Sequence, residues 1–227
     1  MQEYGPQTNT VHSGDMYVTQ GGDITVTGRS MPVPVRKVRV LMLAANPGST
    51  ERLAIDEEAR QVTERLRLAH DRDVFELITC WAVRPLDLLQ YLNQHNPQIV
   101  HFSGHGNRAG EVYLSAGDGT DRRVSAARIG ELFRTAGEQI RVVVLNACHS
   151  AAQAAEIGRH VDHVVGMNAS VTDEVATIFA ASFYSALGFG RPVPQAFDQA
   201  VAVLGMHDPA SHTIPQLVSR PNAKERL

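Results

Sequence analysis

An α/β domain, with a mainly parallel central sheet flanked by helices on both faces, is predicted by three features of the sequence. Short, nearly unbroken apolar runs recur, at Val38–Ala44, Ile99–Phe102, Ile140–Leu145 and His163–Met167. Runs of this kind read as strands buried on both faces. Stretches with helical spacing separate them, as the crossovers of a parallel sheet require. Two of the runs also stop abruptly at reactive side chains. Val100–Gly106 ends on His105-Gly106, and Val144–Ser150 carries Ala147-Cys148. Chemistry in such sheets sits at the carboxyl ends of the strands. Neighbouring strands lie ~4.8 Å apart, so an imidazole and a thiol delivered to one rim can flank a single bond.

Residues 1–35 differ in composition from the rest of the chain. They are rich in Gly, Thr, Ser and Asn, and Met16–Thr19 and Asp23–Thr27 alternate in polarity around Gln20-Gly21-Gly22. That pattern predicts a β-hairpin appendage. A lone hairpin is marginal in water, so the segment reads either as a recruitment element for a protein partner or as a tail. Met31–Pro34 reads as a linker, and residues 36–227 as the main domain.

Val38–Ala44 is the first strand, followed by the turn Ala45–Thr50 and a helix over about 50–69 with Leu53, Ile55, Ala59, Val62 and Leu66 near one face. The turn holds one glycine and matches neither phosphate-binding glycine pattern. Val74–Thr79 is the second strand. A helix begins at Pro85, which suits a first helical position, and runs to His95. Ile99–Phe102 is the third strand. Glu111–Ser115 with the turn Asp118–Thr120 predicts a small hairpin, then a helix over 125–136. Ile140–Leu145 is the fourth strand, Ala151–Gly158 a short helix and His163–Met167 the fifth strand. Thr172–Leu187 and Val193–Leu204 are the last helices, and the polar segment Arg220–Leu227 reads as a frayed end.

The composition narrows the function. Lys and Arg total 21 against 24 Asp and Glu, a net charge of −3 with no basic block, so neither nucleic acid nor a membrane surface is an expected partner. No apolar run is long enough for a transmembrane helix, and Met1-Gln2-Glu3-Tyr4 lacks the features of a secretory signal. Two cysteines are too few for a disulfide scaffold, and a reducing cytoplasm is the expected compartment. No zinc-ligand spacing is present, and neither a metal nor another cofactor is expected.

Cys148 is the candidate nucleophile. Its thiolate would be favoured by the following helix and a nearby imidazole. His105 is the candidate general acid and base. Gly106 lets the chain approach a substrate closely, and its N–H with that of Cys148 would form an oxyanion hole. No carboxylate partner for His105 is required by the sequence. Cys80, followed by Trp81-Ala82, reads as core, as does His101 inside its strand; His149 should point away from Cys148.

Val100-His101-Phe102-Ser103-Gly104-His105-Gly106 and Val144-Leu145-Asn146-Ala147-Cys148-His149-Ser150 together resemble the CHAT family of caspase-like cysteine peptidases, clan CD. The similarity runs from about Val38 to about Gly205. It implies a caspase-hemoglobinase fold with His105 and Cys148 as the dyad. Where caspases carry Q-A-C-[RQG]-G, this chain has Asn146-Ala147-Cys148-His149-Ser150, so a preference for aspartate does not carry over. The resemblance puts the pocket for the residue before the cut beside Met167, Asn168 and Asp173. There Asp173 would favour a basic side chain, or else serve as a helix cap. It also implies an endopeptidase acting on a protein, in a bacterial defence or cell-death system and switched on by a partner. A silent caspase-like interaction module, or acyl transfer on the same scaffold, are the alternatives.

Overall fold

The computed structural model describes residues 37–227. The hairpin expected over Met16–Thr27 and the appendage 1–35 lie outside them. Six strands form the central sheet: β1 (Val38–Ala45), β2 (Phe75–Cys80), β3 (Ile99–Gly104), β6 (Val142–Asn146), β7 (His163–Met167) and β8 (Pro215–Ser219). Their order is β2-β1-β3-β6-β7-β8, parallel except for β8, which runs antiparallel to β7 at one edge. β4 (Glu111–Ser115) and β5 (Asp121–Ser125) form the separate small hairpin.

Strand alternation distributes the apolar side chains between two layers. Leu41, Leu43, Val100, Phe102, Val143 and Leu145 pack on α2 (Pro85–His95), α3 (Ala126–Thr135) and α4 (Ala151–Ile157). Val40, Ile99, Val142, Val144 and Val165 pack on α1 (Ile55–Leu68), α5 (Asp173–Gly188) and α6 (Val193–His207). The fold is thus a sheet with helices on both faces, and β3 and β6 lie side by side at its centre.

Three local outcomes differ from the sequence reading. α1 starts at Ile55, not near Thr50. Asn46 holds the preceding loop through both the N–H and the C=O of Leu53. The N–H of Ala54 is capped by Asp173 Oδ2 at 2.8 Å, from far along the chain. β8 escapes the sequence pattern, because its Pro, Gln and Ser interrupt the apolar positions. The C-terminal segment is fastened rather than frayed. Arg220 pairs with Asp162, the Lys224 carbonyl accepts from Arg141, and the Glu225 carbonyl accepts the Val193 N–H.

His163, buried on β7, makes that same region sensitive to pH. Its Nε2–H donates to the Lys224 carbonyl at 3.1 Å, and Nδ1 faces Ser219 Oγ at 2.9 Å. Burial holds its pKa below the usual histidine value of 6.5. The unfolded chain therefore binds the proton more readily, so stability is lost as pH falls below about 6.5. The melting temperature should drop over that window in the wild type, and the drop should shrink in His163→Gln; an unchanged pH profile in the variant would exclude His163 as its source. Among the described residues, no helix is long and apolar enough to cross a membrane.

Candidate active site

His105 follows the end of β3 and Cys148 follows the end of β6, so adjacent strands carry both to one rim. Both line one narrow cleft, of about 30 Å³ free volume, which Leu53–Ile55, Val171 and Asp173 also line. Ser103 and Asn146, the last registered pair of these two strands, line the same cleft.

His105 is fixed from outside. Its Nε2 lies 2.7 Å from the Glu51 carbonyl oxygen. A carbonyl only accepts, so in the neutral ring Nε2 carries the proton and Nδ1 is left as the basic nitrogen. The backbone around it is held by the Tyr113 N–H, which donates to the His105 carbonyl at 3.0 Å, and by a bridge from Gly106 to Val112. The orienting partner is thus a main-chain carbonyl from the loop before α1, which no side-chain motif could reveal.

Gly106 packs directly on the Cys148 backbone. A Cβ at Gly106 would overlap the Cys148 carbonyl oxygen and stand 3.2 Å from its carbon. Only glycine allows the histidine loop and the cysteine loop to approach this closely. Among the described residues, neither the Gly106 nor the Cys148 N–H donates to an internal acceptor.

The cysteine loop is a tight elbow. Ser150 is fully buried; its hydroxyl donates to the Leu145 carbonyl and accepts the Met167 N–H, each at 2.9 Å. His149 takes a left-handed φ of 56°, a strained conformation for a non-glycine residue. Its N–H bonds the Ala169 carbonyl and its ring reaches Ser170 Oγ, away from the cleft as expected. The Cys148 sulfur lies 3.3 Å from the Val171 N–H and 3.6 Å from the Val171 carbonyl, to which its S–H donates. Among the described residues, Cys148 and His105 share no direct hydrogen bond, as is common before substrate binds. Cys80 is half-buried against the core, where burial and the Asp87 charge push its thiol pKa up.

The three residues expected around the pocket separate. Asp173 lines the cleft and holds the Ala54 N–H with Oδ2. It does not cap its own helix; Thr172 does, accepting the Val175 N–H. Met167 is fully buried in the core and does not line the cleft, because pairing with Pro215 of β8 extends the sheet over that position. Asn168 is turned to the Thr213 carbonyl at 3.0 Å and also lies outside the cleft.

Sequence reasoning missed the floor of the cleft. Glu58, Ser103 and Asn146 line it, all three buried. Glu58 was signalled by its spacing, since it stands on the stripe formed by Ile55, Val62 and Leu66. His101 is a buried, hydrogen-bonded histidine, bonded to Glu58 and Tyr184.

The CHAT domain family model matches residues 12–215. Among curated proteins, a "Roc-COR-CHAT protease" from an unknown prokaryotic organism is 24% identical over 173 residues, covering 73% of this chain and 16% of that protein. A "Probable protease" from Gillisia limnaea is 21% identical over 174 residues, covering 75% of this chain and 31% of that protein. The chain therefore spans less than a third of either relative. Two solved structures share the fold. The Arg specific cysteine proteinase gingipain R superposes with a TM-score of 0.57 at 12% identity, over 83% of this chain and 47% of that one. Caspase-1 from Spodoptera frugiperda superposes with a TM-score of 0.53 at 10% identity, over 81% of this chain and 86% of that one.

Proposed function

We propose that this chain, which belongs to the CHAT domain family and has a caspase-like fold, is a cysteine endopeptidase with Cys148 as nucleophile and His105 as general acid and base. The observation that carries the reading is one cleft lined by both side chains, with His105 Nε2 committed to the Glu51 carbonyl. Nδ1 takes the Cys148 proton, and the thiolate leaves Val171 to attack the substrate carbonyl carbon. The carbonyl electron pair moves to oxygen, where the Gly106 and Cys148 N–H groups receive the negative charge. The imidazolium protonates the leaving amine as the C–N bond breaks. Water, deprotonated by His105, then releases the acyl group and restores the thiol.

Asp173 is the reading's specificity residue. Its carboxylate stands at the cleft and would attract a basic side chain before the cut. Asp173→Asn keeps an acceptor for the Ala54 N–H but removes the charge. The preference for Lys or Arg over a neutral residue should then fall about 30-fold, the equivalent of about 2 kcal/mol for a half-buried ion pair. Unchanged selectivity in kcat/KM across a peptide series would remove Asp173 from the pocket.

The substrate is a protein, the activator a protein partner recruited through residues 1–35, and the setting a cytoplasmic bacterial defence or cell-death system. The family membership and the protease names of the longer relatives support the protease chemistry; the activator, its recruitment segment and the setting rest on the resemblance of the two motifs alone. Incubating the full chain with a proteome-derived peptide library and sequencing the new N-termini tests the reaction class. Hydrolysed termini that vanish in Cys148→Ala support a peptidase, and transfer products without hydrolysis would replace it with acyl transfer. Deleting residues 1–35 should abolish partner-dependent activation while the basal labelling of Cys148 persists; unchanged activation would remove the recruitment role.

A further inference from the structure

We propose that Glu58 is a positioning residue for the dyad: its buried carboxylate grips both members of the last cross-strand pair before His105 and Cys148, and so sets the separation of those two side chains. Ser103 and Asn146 are the final registered partners of β3 and β6. Ser103 Oγ donates to Glu58 Oε2 at 2.5 Å, and Asn146 Nδ2 donates to Oε1 at 2.5 Å. Two residues further along each chain stand His105 and Cys148. One side chain, 3% exposed, thus joins the two strands at the point where they stop pairing.

The remaining contacts hold Glu58 itself in place. His101 Nε2 lies 2.8 Å from Oε1, and His101 Nδ1 lies 3.1 Å from the Tyr184 hydroxyl. Burial raises the Tyr184 pKa well above its usual value, so the phenol keeps its proton and donates it to Nδ1. Nε2 of the neutral ring is then the N–H that donates to Glu58. Every partner of the carboxylate is a donor, as an acceptor-only group requires. Asn146 Nδ2 also reaches the Ala176 carbonyl at 3.1 Å, which ties the assembly to α5. The same segment of chain meets the cleft twice more, through the Glu51 carbonyl on His105 and the Ala54 N–H on Asp173. Replacing a whole buried ionic cluster by apolar side chains is often neutral or stabilising, so the layer, elsewhere packed with apolar side chains, does not require this polar cluster for its stability. The placement of Glu58 at the end of the β3–β6 ladder gives it a geometric task.

The consequence for turnover rests on the peptidase reading; the consequence for the Cys148 thiol does not. The test therefore measures both on the full chain: the rate of Cys148 alkylation by iodoacetamide, followed by intact mass, and kcat and KM on a cleaved peptide. Glu58→Ala should slow alkylation and kcat about 100-fold, the effect of a misplacement near 1 Å, with KM within about twofold. Glu58→Gln should restore alkylation to within about threefold of wild type, because its carbonyl still accepts from His101 and Asn146 and the Ser103 hydroxyl can rotate to accept its amide. A merely structural Glu58 would lower the melting temperature and leave alkylation of the folded protein unchanged, and that result overturns the proposal. If Glu58→Ala does not fold, Ser103→Ala cuts the β3 arm alone and should slow alkylation about 10-fold; no change there also overturns it. Glu58-dependent alkylation in a chain that hydrolyses nothing would leave the positioning role standing and remove the peptidase reading.

Discussion

Cys148→Ala and His105→Ala should each lower peptide hydrolysis roughly 10⁴-fold or more, and the double variant should be no worse than either single one. The two side chains act as one unit. Without the sulfur no acyl-enzyme forms, and without the imidazole neither the thiol nor the leaving amine has a proton partner. Removing the second member from an already broken pair therefore removes nothing further. Both side chains are only half-buried at the rim, and neither belongs to the core clusters. Both variants should accordingly keep the wild-type melting temperature to within a few degrees, because surface-rim substitutions rarely change stability by more than about 0.5 kcal/mol. Additive losses in the double variant would mean that the two residues work independently, which a shared cleft does not explain.

Gly106→Ala should be the most damaging small substitution outside the dyad. The new methyl group would overlap the Cys148 carbonyl oxygen, and the atoms that it meets are backbone. Neither side can yield by rotating a side chain, so the two loops must separate. Overpacking of this kind costs about 1–3 kcal/mol. The activity loss should be larger than that destabilisation implies, about 100-fold, because the displaced atoms are the amides and side chains of the site itself. Thermal melting and peptide turnover on the same preparation separate the two effects. A variant with wild-type turnover would show that the close approach of the loops has no part in catalysis.

Much of the architecture was legible because a central parallel strand has little choice of sequence. β1, β3, β6 and β7 are buried on both faces, and only continuous apolar runs satisfy that. The same runs located His105 and Cys148, since the change from Phe102 to His105 and from Leu145 to Cys148 marks where burial ends. What the sequence concealed depends on partners remote in the chain. The start of α1 is set by Asp173, 119 residues away. His105 is oriented by a carbonyl, which every residue possesses. Met167 reads as a rim residue until β8 is known to cover it. Glu58 was visible as a charged residue on an apolar stripe, but its donors come from β3 and β6 together, and only the folded sheet shows them. The walls of the cleft, at Leu53–Ile55 and Val171, are ordinary loop residues whose role comes only from where the fold brings them.

The central claim, that His105 and Cys148 form one working nucleophilic site, is tested most directly by intact-mass labelling of the full chain with a library of thiol-reactive peptide electrophiles. The expected result is a single adduct on Cys148, absent in Cys148→Ala and strongly slowed in His105→Ala, with preference for peptides bearing a basic residue at the reacting carbonyl. Labelling at Cys80 instead, or Cys148 labelling that is indifferent to both His105 and the peptide sequence, would contradict it.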